Sequence, residues 1–334
     1  MKIIANENIY PLDSQSCHAS HFVILPDSSV FAVWFYGSRE GADDVCIFGA
    51  RKQAGESVWS EPVRLTPDDN EPHWNPVLHL CPDGSAMLFY KTGKTISDWR
   101  TMVMYSTDGC LSFSEPRELV LGDDSGGRGP VRNKIITLSD GSLLAGGSTE
   151  KDEWICFADR STDGGISWNR SADIRIPASY LSRYESVKGR GVIQPTLWES
   201  VPGVVHMLVR STEGKVFRAD SDDYGRTWSA LYEFALLNNN SGIDIDRDES
   251  GRLYLVCNPV GLDEGKRFGK RTPLSVLVSD DNGKSFSKLT DIATGAGTFA
   301  YPCVRFSGDK LHITYTWNRK LIQYFCLDLD RKKD

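Results

Sequence analysis

The sequence predicts an all-β chain that folds as a six-bladed β-propeller with four antiparallel strands in each blade. Three observations support this fold class: a recurring octet of the form Ser-x-Asp-x-Gly-x-x-aromatic, a spacing of that octet close to one sixth of the chain, and short apolar runs separated by turn signals. Internal repeats of this period are typical of propeller blades. Long stretches with helical periodicity are absent from the sequence.

The octet is intact at Ser161–Trp168, Ser221–Trp228 and Ser279–Phe286. A fourth copy begins at Ser106 and has cysteine where glycine is expected, and a more degraded fifth copy ends at Trp59. Successive serines from Ser106 onward are 55, 60 and 58 residues apart, and one sixth of the 334 residues is about 56. An aspartate that accepts backbone N–H bonds and a glycine with positive φ suit a hairpin turn. We therefore interpret the octets as turns without a chemical role.

Apolar runs around each octet follow one order: a first run, a Gly/Asp turn, a second run, a third run that enters the octet and a short fourth run. The turns between first and second runs are PDSS, PDGS, SDGS, VPGV, ESGR and SGDK, which are hairpin signals. The sixth repeat lacks its outermost strand. Residues 2–10 are expected to supply it, because pairing the start of the chain with its end closes the ring and limits exposed sheet edges. We expect residues 1–334 to form one domain.

Composition limits the functional classes. The net charge of −7 argues against a non-specific nucleic-acid binder, which needs a basic face. No segment approaches the ~18 apolar residues of a membrane span. The opening MKIIANENIY lacks the apolar stretch of a signal peptide, so we expect a cytoplasmic protein with free thiols, or a secreted or periplasmic one if a leader has been trimmed. The cysteines and histidines lack metal-ligand spacing, so we predict neither a metal site nor a cofactor.

Polar side chains concentrate at the strand ends that should surround the propeller axis. In a hairpin, the start of the first strand and the end of the second lie at the same sheet edge. The strand starts supply His18, Ser20, His21, His73, Asn75, Arg132, Asn133, Gln194, Ser241, Asp244 and Tyr301. The strand ends supply Arg39, Lys91, Glu150, Arg210, Asn258, Asn318 and Arg319. A convergent polar funnel of this kind predicts a ligand site.

The chain resembles the sialidase (neuraminidase) superfamily, in particular its bacterial BNR-repeat (Asp-box) sialidase-like branch. The resemblance covers nearly the whole chain and rests on the octets together with an ordered set of polar phrases: WFYGSREGADDV, HWNPVL, GRGPVRNK, IQPTLWES, NNNSGIDI and YTWNR. Asp-box octets alone are a weak signal, because many non-enzymatic propellers carry them. The resemblance implies a sialidase-like propeller and a retaining exo-glycosidase that acts on a terminal sialic acid or related acidic sugar.

The resemblance also implies roles for individual residues. Tyr301, in FAYPCV, matches the tyrosine nucleophile. Arg210 and Arg271 match the second and third arginines that bind the substrate carboxylate. Asp43 matches the acid/base, with Asp44 as its neighbouring alternative. A tyrosine nucleophile suits an anionic sugar because it avoids placing a further carboxylate beside the substrate's own.

Two positions depart from the family pattern. His18 stands where the first carboxylate-binding arginine is expected, and Gln194 stands where a glutamate assists the tyrosine. Glutamine cannot accept a proton, so assistance to Tyr301 must come from elsewhere. We assign His18 a catalytic role with Tyr301 and Asp43. The expected substrate-binding residues are Arg39, Arg210, Arg271, Gln194, His21, His73, Asn75, Lys91, Asp244 and Arg319.

Three functions are therefore compatible with the sequence. The first is a sialidase-type hydrolase that uses Tyr301. The second is a uronate-directed lyase or unusual glycosidase, in which His18 or His73 acts with Tyr301 and an arginine neutralises the carboxylate. The third is a glycan-binding propeller without catalysis. All three predict an acidic carbohydrate as the partner and no nucleic acid or membrane; the sequence leaves the oligomeric state open.

Overall fold

The computed structural model describes residues 1–9 and 15–330. Within these ranges the chain forms 24 strands, one 3₁₀ turn (Ile96–Asp98) and one short helix, α1 (Ala178–Leu181). The strands are β1 (Lys2–Asn8), β2 (Ser16–Ile24), β3 (Val30–Gly37), β4 (Cys46–Lys52), β5 (Val63–Arg64), β6 (His73–Leu80), β7 (Ala86–Thr92), β8 (Arg100–Ser106), β9 (Arg117–Glu118), β10 (Ile136–Thr137), β11 (Leu143–Glu150), β12 (Glu153–Ser161), β13 (Asn169–Arg170), β14 (Arg190–Val201), β15 (Val204–Ser211), β16 (Lys215–Ser221), β17 (Tyr232–Leu237), β18 (Asp244–Arg247), β19 (Leu253–Cys257), β20 (Leu274–Ser279), β21 (Ser287–Ala293), β22 (Phe299–Ser307), β23 (Lys310–Trp317) and β24 (Leu321–Asp328).

These strands form six antiparallel blades, which confirms the predicted fold class. Blades one, two and five are β2–β5, β6–β9 and β18–β21, each in sequential order. Blades three and four are β10–β13 and β14–β17, and a short parallel contact between β12 and β14 joins them. Blade six contains β22, β23 and β24 with β1 on its outside. No helix in the described ranges is long and apolar enough to cross a membrane.

Ring closure occurs as predicted. Strand β1 pairs antiparallel with β24, in register from Lys2 opposite Asp328 to Asn8 opposite Gln323. Ile9 extends the pairing with an N–H bond of 2.8 Å to the carbonyl of Ile322. Residue 10, the last residue of the predicted closing strand, lies outside the described residues. The outermost strand of the sixth blade therefore comes from the opposite end of the chain, and the blade edge is paired.

The octets form the predicted turns. In the copy that begins at Ser161, the Asp163 carboxylate accepts bonds from the Ser161 hydroxyl (2.7 Å) and the Ser167 N–H (2.9 Å). Gly165 has a φ of +88°. The fourth copy, which begins at Ser106, keeps this conformation although it lacks the glycine, because Cys110 itself adopts a φ of +64°. A non-glycine residue in this region costs on the order of 1 kcal/mol, which the Asp108 hydrogen bonds to Leu111 and Ser112 help to offset.

A bulge interrupts the innermost strand near the axis and is the feature that positions the site. In five of the six blades, one non-glycine residue there has positive φ: Ala19, Asn75, Arg132, Gln194 and Tyr301. The strand register shifts at this point in blades one, two, four and six. A bulge re-aims the side chain that it carries, and such bulges are frequent beside active sites. In each of these five blades one residue is therefore turned out of the regular alternation of side chains.

Candidate functional site

Tyr301 lies at the centre of an arginine cluster. It belongs to the bulge of β22, and its hydroxyl oxygen accepts a bond of 2.8 Å from Nη1 of Arg210. Three guanidinium carbons surround its ring: that of Arg132 lies 5.3 Å from the ring centroid, and those of Arg210 and Arg271 each lie 5.7 Å away. Residues separated by up to 169 positions in the sequence are thus gathered around one phenol. The structure brings together the tyrosine and both arginines that the sequence predicts to act jointly.

Arg210 is held from several directions. It lies near the end of β15, in register with Ile193 beside the β14 bulge. Its Nη1 donates to Oε1 of Gln194 at 3.1 Å, and its Nε donates to Oδ1 of Asn240 at 3.2 Å. Gln194 therefore orients the arginine that contacts Tyr301. A glutamine here accepts a hydrogen bond without adding a negative charge to the cluster.

Arg271 reaches the cluster from the segment between β19 and β20, and its carbonyl accepts the Phe299 N–H at 2.8 Å. Burial lowers the pKa of Arg271, with a further lowering from Arg210 and Arg319 and an opposing effect from Tyr301. Several guanidinium groups in one partly dehydrated space repel one another. An anion that binds between Arg210 and Arg271 would relieve this repulsion, so the cluster is suited to a carboxylate.

The same charges act on Tyr301. Burial on its own would raise the pKa of the phenol, but the positive charges of Arg210 and Arg271 outweigh it, and the net result is a pKa below the ordinary value of 10.0. Glu40 and Glu150 oppose this lowering. The phenolate is thus more accessible than in an ordinary tyrosine, without a glutamate in hydrogen-bond contact. The lowering comes from the arginines and not from Gln194, which is uncharged and does not accept a proton.

His18 packs directly on Tyr301. The two ring centroids lie 4.1 Å apart with the planes inclined by 43°, and the His18 side chain is buried. Neither ring nitrogen has a hydrogen-bond partner among the described residues. Burial lowers the pKa of His18 well below 6.5, and Arg319, Arg271, Arg132 and Arg210 lower it further. The imidazole is therefore neutral and has both a donor and an acceptor free for a ligand.

Two carboxylates stand at the border of the cluster. Glu40 forms an ion pair with Arg319. Glu150, the last residue of β11, is partly buried opposite Trp154, whose ring lies 5.7 Å from the Arg210 guanidinium. Burial raises the pKa of Glu150 to about 7, against an opposing effect of Arg210 and with a further rise from Glu40. A substantial fraction of Glu150 is therefore protonated near neutral pH, as a general acid requires.

Comparison with known families identifies this architecture. A family model described as "BNR repeat-like domain" matches residues 28–313, which is most of the chain. The chain belongs to the BNR repeat-like family. No curated protein matches the sequence at a significant level.

Three solved structures show the same fold as this BNR repeat-like chain. A protein of unknown function from Dyadobacter fermentans has a TM-score of 0.77 at 14% identity, with 97% of this chain and 98% of that chain covered. The Hadza microbial sialidase Hz136 has a TM-score of 0.78 at 16% identity, covering 97% and 68%. The NanB sialidase from Streptococcus pneumoniae has a TM-score of 0.72 at 13% identity, covering 97% and 71%. These likenesses establish a sialidase-like propeller fold.

Not every predicted site residue of the BNR repeat-like chain reaches the Tyr301 cluster. Asp244 and His21 lie in a separate buried cluster. Both Asp244 carboxylate oxygens are occupied: one contacts Nζ of Lys134 (2.8 Å) and the Val304 N–H (2.8 Å), and the other accepts from the Thr196 hydroxyl (2.9 Å). His21 accepts the Leu78 N–H at 3.2 Å. These contacts join blades three, four, five and six, and indicate a structural role for Asp244.

Other predicted residues lie within or beside the second blade. His73 contacts Thr66 at 2.8 Å and packs on the Tyr90 ring, with its centroid 4.8 Å away. Lys91 is buried and donates to the Thr101 hydroxyl and to the Arg128 carbonyl, both at 2.7 Å. Burial lowers the pKa of Lys91 to about 7. The partners of His73 and Lys91 are thus neighbouring residues of the blade rather than members of the Tyr301 cluster.

The loop after β3 carries the predicted residues Arg39 and Asp43, together with Asp44, the alternative to Asp43. Asp43 is exposed and forms an ion pair of 2.8 Å with Lys94. Asp44 accepts the N–H and the hydroxyl of Ser38 at 2.9 and 2.8 Å, and so shapes the loop. Arg39 is exposed in the same loop. Asn75, in contrast, is buried at the bulge of β6, where its φ of +45° is positive like the +56° of Tyr301.

Arg132 is a member of the cluster that has no predicted role. It is among the predicted strand starts, and its guanidinium is fully buried beside Tyr301. It donates to the carbonyl of Ile243 at 3.1 Å, to Asn133 and to the carbonyl of Pro302. Burial lowers the pKa of Arg132, with Asp244 opposing. The signal that could have identified Arg132 is its place in the repeat, because it occupies the same strand-start position in blade three as Gln194 in blade four and Tyr301 in blade six.

Substituting Glu150 with glutamine should change how stability depends on pH. A carboxyl whose pKa is raised from 4.5 to about 7 binds more protons in the folded than in the unfolded state between these values. Glu150 therefore contributes a fall in the free energy of unfolding as pH rises through this window, opposite in sign to the contribution of the buried histidines, whose pKa values are lowered. Glu150→Gln should remove that fall, and urea titrations from pH 5 to about 8 would measure it. Glu56→Gln, at an exposed glutamate, is the control; parallel curves for wild type and Glu150→Gln would contradict the assignment.

Proposed function

We propose that this protein is an enzyme that cleaves a terminal acidic sugar, a sialic acid or a related sugar, from a glycan with retention of configuration. The observation that carries the proposal is the arrangement of Arg210 and Arg271 on Tyr301: two cations for the sugar carboxylate beside a phenol of lowered pKa. The sialidase-like fold supports the same class of ligand.

In this mechanism Arg210 and Arg271 bind the substrate carboxylate and place the anomeric carbon over the Tyr301 hydroxyl oxygen. Tyr301 attacks that carbon as its phenolate, the glycosidic C–O bond breaks, and the departing oxygen takes a proton from a carboxyl group. Water then displaces the tyrosine from the glycosyl-enzyme intermediate. Bidentate guanidinium–carboxylate pairing gives both affinity and orientation, which an ammonium group does not reproduce.

Two carboxyls are candidates for the leaving-group proton. The sequence resemblance favours Asp43, whereas the charge environment favours Glu150. Asp43 is exposed and paired with Lys94, and Glu150 has a pKa of about 7 and lies close enough to Tyr301 to influence its ionisation. We propose Glu150 as the proton donor. Comparing Glu150→Gln with Asp43→Asn on a substrate with a poor leaving group would separate the two. Such a leaving group needs protonation, so only the variant that lacks the true proton donor should cleave it much more slowly.

The proposal is tested by substrate affinity in arginine variants. Arg210→Lys and Arg271→Lys should each raise KM for a fluorogenic sialoside, or for the acidic glycoside that proves active, by about 10- to 100-fold, since a charged hydrogen bond contributes about 1.5–3 kcal/mol. Arg175→Lys alters an exposed arginine paired with Glu153 and Asp173, and serves as the control. Equal KM values for all four proteins would contradict carboxylate binding at this cluster.

His18 favours a second candidate function. A neutral imidazole with both nitrogens free, packed 4.1 Å from a tyrosine, is a suitable acid/base pair for β-elimination from a uronate. One group removes the proton on the carbon next to the carboxylate and the other protonates the departing oxygen, leaving a carbon–carbon double bond. The ultraviolet absorbance of an unsaturated uronate would separate elimination from hydrolysis. Tight binding of acidic glycans without any turnover would instead favour a binding protein.

A further inference from the structure

Blade four carries a Ser-His-Asp constellation on three adjacent strands, apart from the Tyr301 cluster. Oγ of Ser200, on β14, lies 2.9 Å from Nε2 of His206, on β15. Nδ1 of His206 lies 2.5 Å from Oδ1 of Asp220, on β16. His206 and Asp220 are direct cross-strand neighbours, so the antiparallel register holds the histidine against the carboxylate. Strand-borne side chains are positioned more rigidly than loop-borne ones.

The neighbours of both ring nitrogens bear on the tautomer of His206. Nδ1 lies 2.5 Å from the Asp220 carboxylate, an acceptor, and 2.9 Å from Nη2 of Arg218, a donor, whereas Nε2 lies 3.1 Å from Nδ2 of Asn282, a donor. A proton on Nδ1 satisfies the contacts with Asp220 and Asn282. Burial alone would raise the pKa of Asp220, but bonds from His206, Tyr232 and Arg218 outweigh it and lower the pKa, which keeps Asp220 ionised. Nε2 is then the acceptor and faces the Ser200 hydroxyl. This is the proton arrangement of a serine nucleophile with its base and orienting acid.

Neighbouring groups complete the arrangement. The Trp198 ring packs on His206 with centroids 4.9 Å apart, and its Nε1 donates to Oδ1 of Asn282 at 2.9 Å. This bond orients the Asn282 amide so that its Nδ2 lies 3.1 Å from Nε2 of His206. Once Nε2 takes the Ser200 proton it no longer accepts from Asn282, which leaves the amide N–H available to an oxyanion. Side-chain amides serve this role in acyl-transfer sites.

Ser200 is open to a ligand. It lines a surface cavity of about 430 Å³ together with Arg247, Arg252 and Asn282. Arg252 is paired with Asp280, and Nη1 of Arg247 donates to the carbonyl of Glu199 at 2.9 Å. The cavity is therefore small and polar, with a cationic side. Ser200 lies six residues beyond Gln194 on β14, about 20 Å along the strand at ~3.3 Å per residue, so this site is separate from the Tyr301 cluster.

We propose that Ser200, His206 and Asp220 form a second catalytic site that hydrolyses a short-chain carboxylic ester whose polar, anionic part pairs with Arg247. Ser200 Oγ attacks the acyl carbon while its proton passes to Nε2 of His206. The ester C–O bond breaks, and the leaving alcohol takes that proton. Water, deprotonated by the same nitrogen, then attacks the acyl-serine and restores the free hydroxyl, so the net reaction consumes one water and yields an acid and an alcohol.

A fluorophosphonate probe and p-nitrophenyl acetate test this proposal on the full chain. Peptide mapping should place the label on Ser200, and Ser200→Ala should lose the label and reduce ester hydrolysis by about 100-fold or more. His206→Gln and Asp220→Asn should slow both reactions. Ser250→Ala, at another serine that lines the same cavity, is the matched control and should behave as wild type.

Two outcomes would overturn the second site. One is a wild-type protein that takes up no label on Ser200; the other is a folded Ser200→Ala variant that hydrolyses the ester at the wild-type rate, with folding checked by its thermal midpoint. Tyr301→Phe should retain full ester hydrolysis. Because that variant removes the proposed glycan chemistry alone, failure of either site is distinguishable from failure of the other.

Discussion

Tyr301→Phe is expected to lower kcat on any acidic glycoside that the protein cleaves by about 1000-fold or more, with little change in KM. The substitution removes one oxygen atom, the atom that receives the 2.8 Å bond from Arg210, and leaves the ring contacts with His18 and the guanidinium groups in place. The carboxylate-binding arginines keep their charge, so substrate affinity should survive. Initial rates over a range of substrate concentrations would separate the two parameters.

The matched control is Tyr315→Phe. Tyr315 is a buried tyrosine of the same blade, on β23, whose ring packs against Phe299 with centroids 6.3 Å apart. It lacks the arginine environment, and burial raises its pKa to about 12. Unchanged kcat in Tyr301→Phe, with cleavage still occurring, would remove the tyrosine from the mechanism. Spectrophotometric titration of the two variants should also show that the phenolate forming at the lowest pH belongs to Tyr301.

Asp244→Asn is expected to be the most destabilising single substitution considered, at about 3–5 kcal/mol. The change leaves the Lys134 ammonium buried without its counter-charge, while the amide can no longer accept from Lys134, Thr196 and Val304 in the same way. Because these bonds connect different blades, the loss should lower cooperativity of the ring as well as its stability. The midpoint and slope of urea unfolding would measure both effects.

Asp43→Asn is a close control for this experiment. Asp43 and Lys94 form an ion pair of the same type and the same 2.8 Å length as Asp244 and Lys134, but both side chains are more than half exposed. Exposed pairs contribute little because water solvates each partner after separation. Similar losses in both variants would show that burial does not govern the contribution of the Asp244 pair. A double variant, Asp244→Leu with Lys134→Met, should recover part of the stability.

Local sequence signals predicted the repeating parts of the molecule well. The octet aspartates, the turn glycines and the strand that closes the ring all depend on residues close in sequence or on simple strand counting, and the structure confirms them. The meeting of Tyr301 with Arg210 followed from a resemblance to a family and from strand ends, and that of Tyr301 with Arg271 from the resemblance alone. The strand-end argument predicts that side chains from different blades lie near one another at the axis, and the structure brings these three residues together.

Long-range register limited the remaining predictions. Asp244 begins a strand just as Tyr301 lies near the start of one, yet Asp244 lies among buried contacts with Lys134 and Thr196. The Ser200, His206 and Asp220 group depends on which side chains of three strands share a face, which is set by pairing and not by spacing in the sequence. The charge state of Glu150 similarly depends on burial that only the folded chain reveals.

The positive-φ residue that recurs near the axis in five blades has a fixed main-chain conformation but a variable side chain. Ala19, Asn75, Arg132, Gln194 and Tyr301 share one backbone conformation although their side chains range from a methyl group to a guanidinium and a phenol. The five places therefore keep one main-chain geometry while they carry different side chains. Such a ring can acquire a new ligand preference through single replacements, one blade at a time, which makes these five places the natural starting points for directed evolution of its specificity.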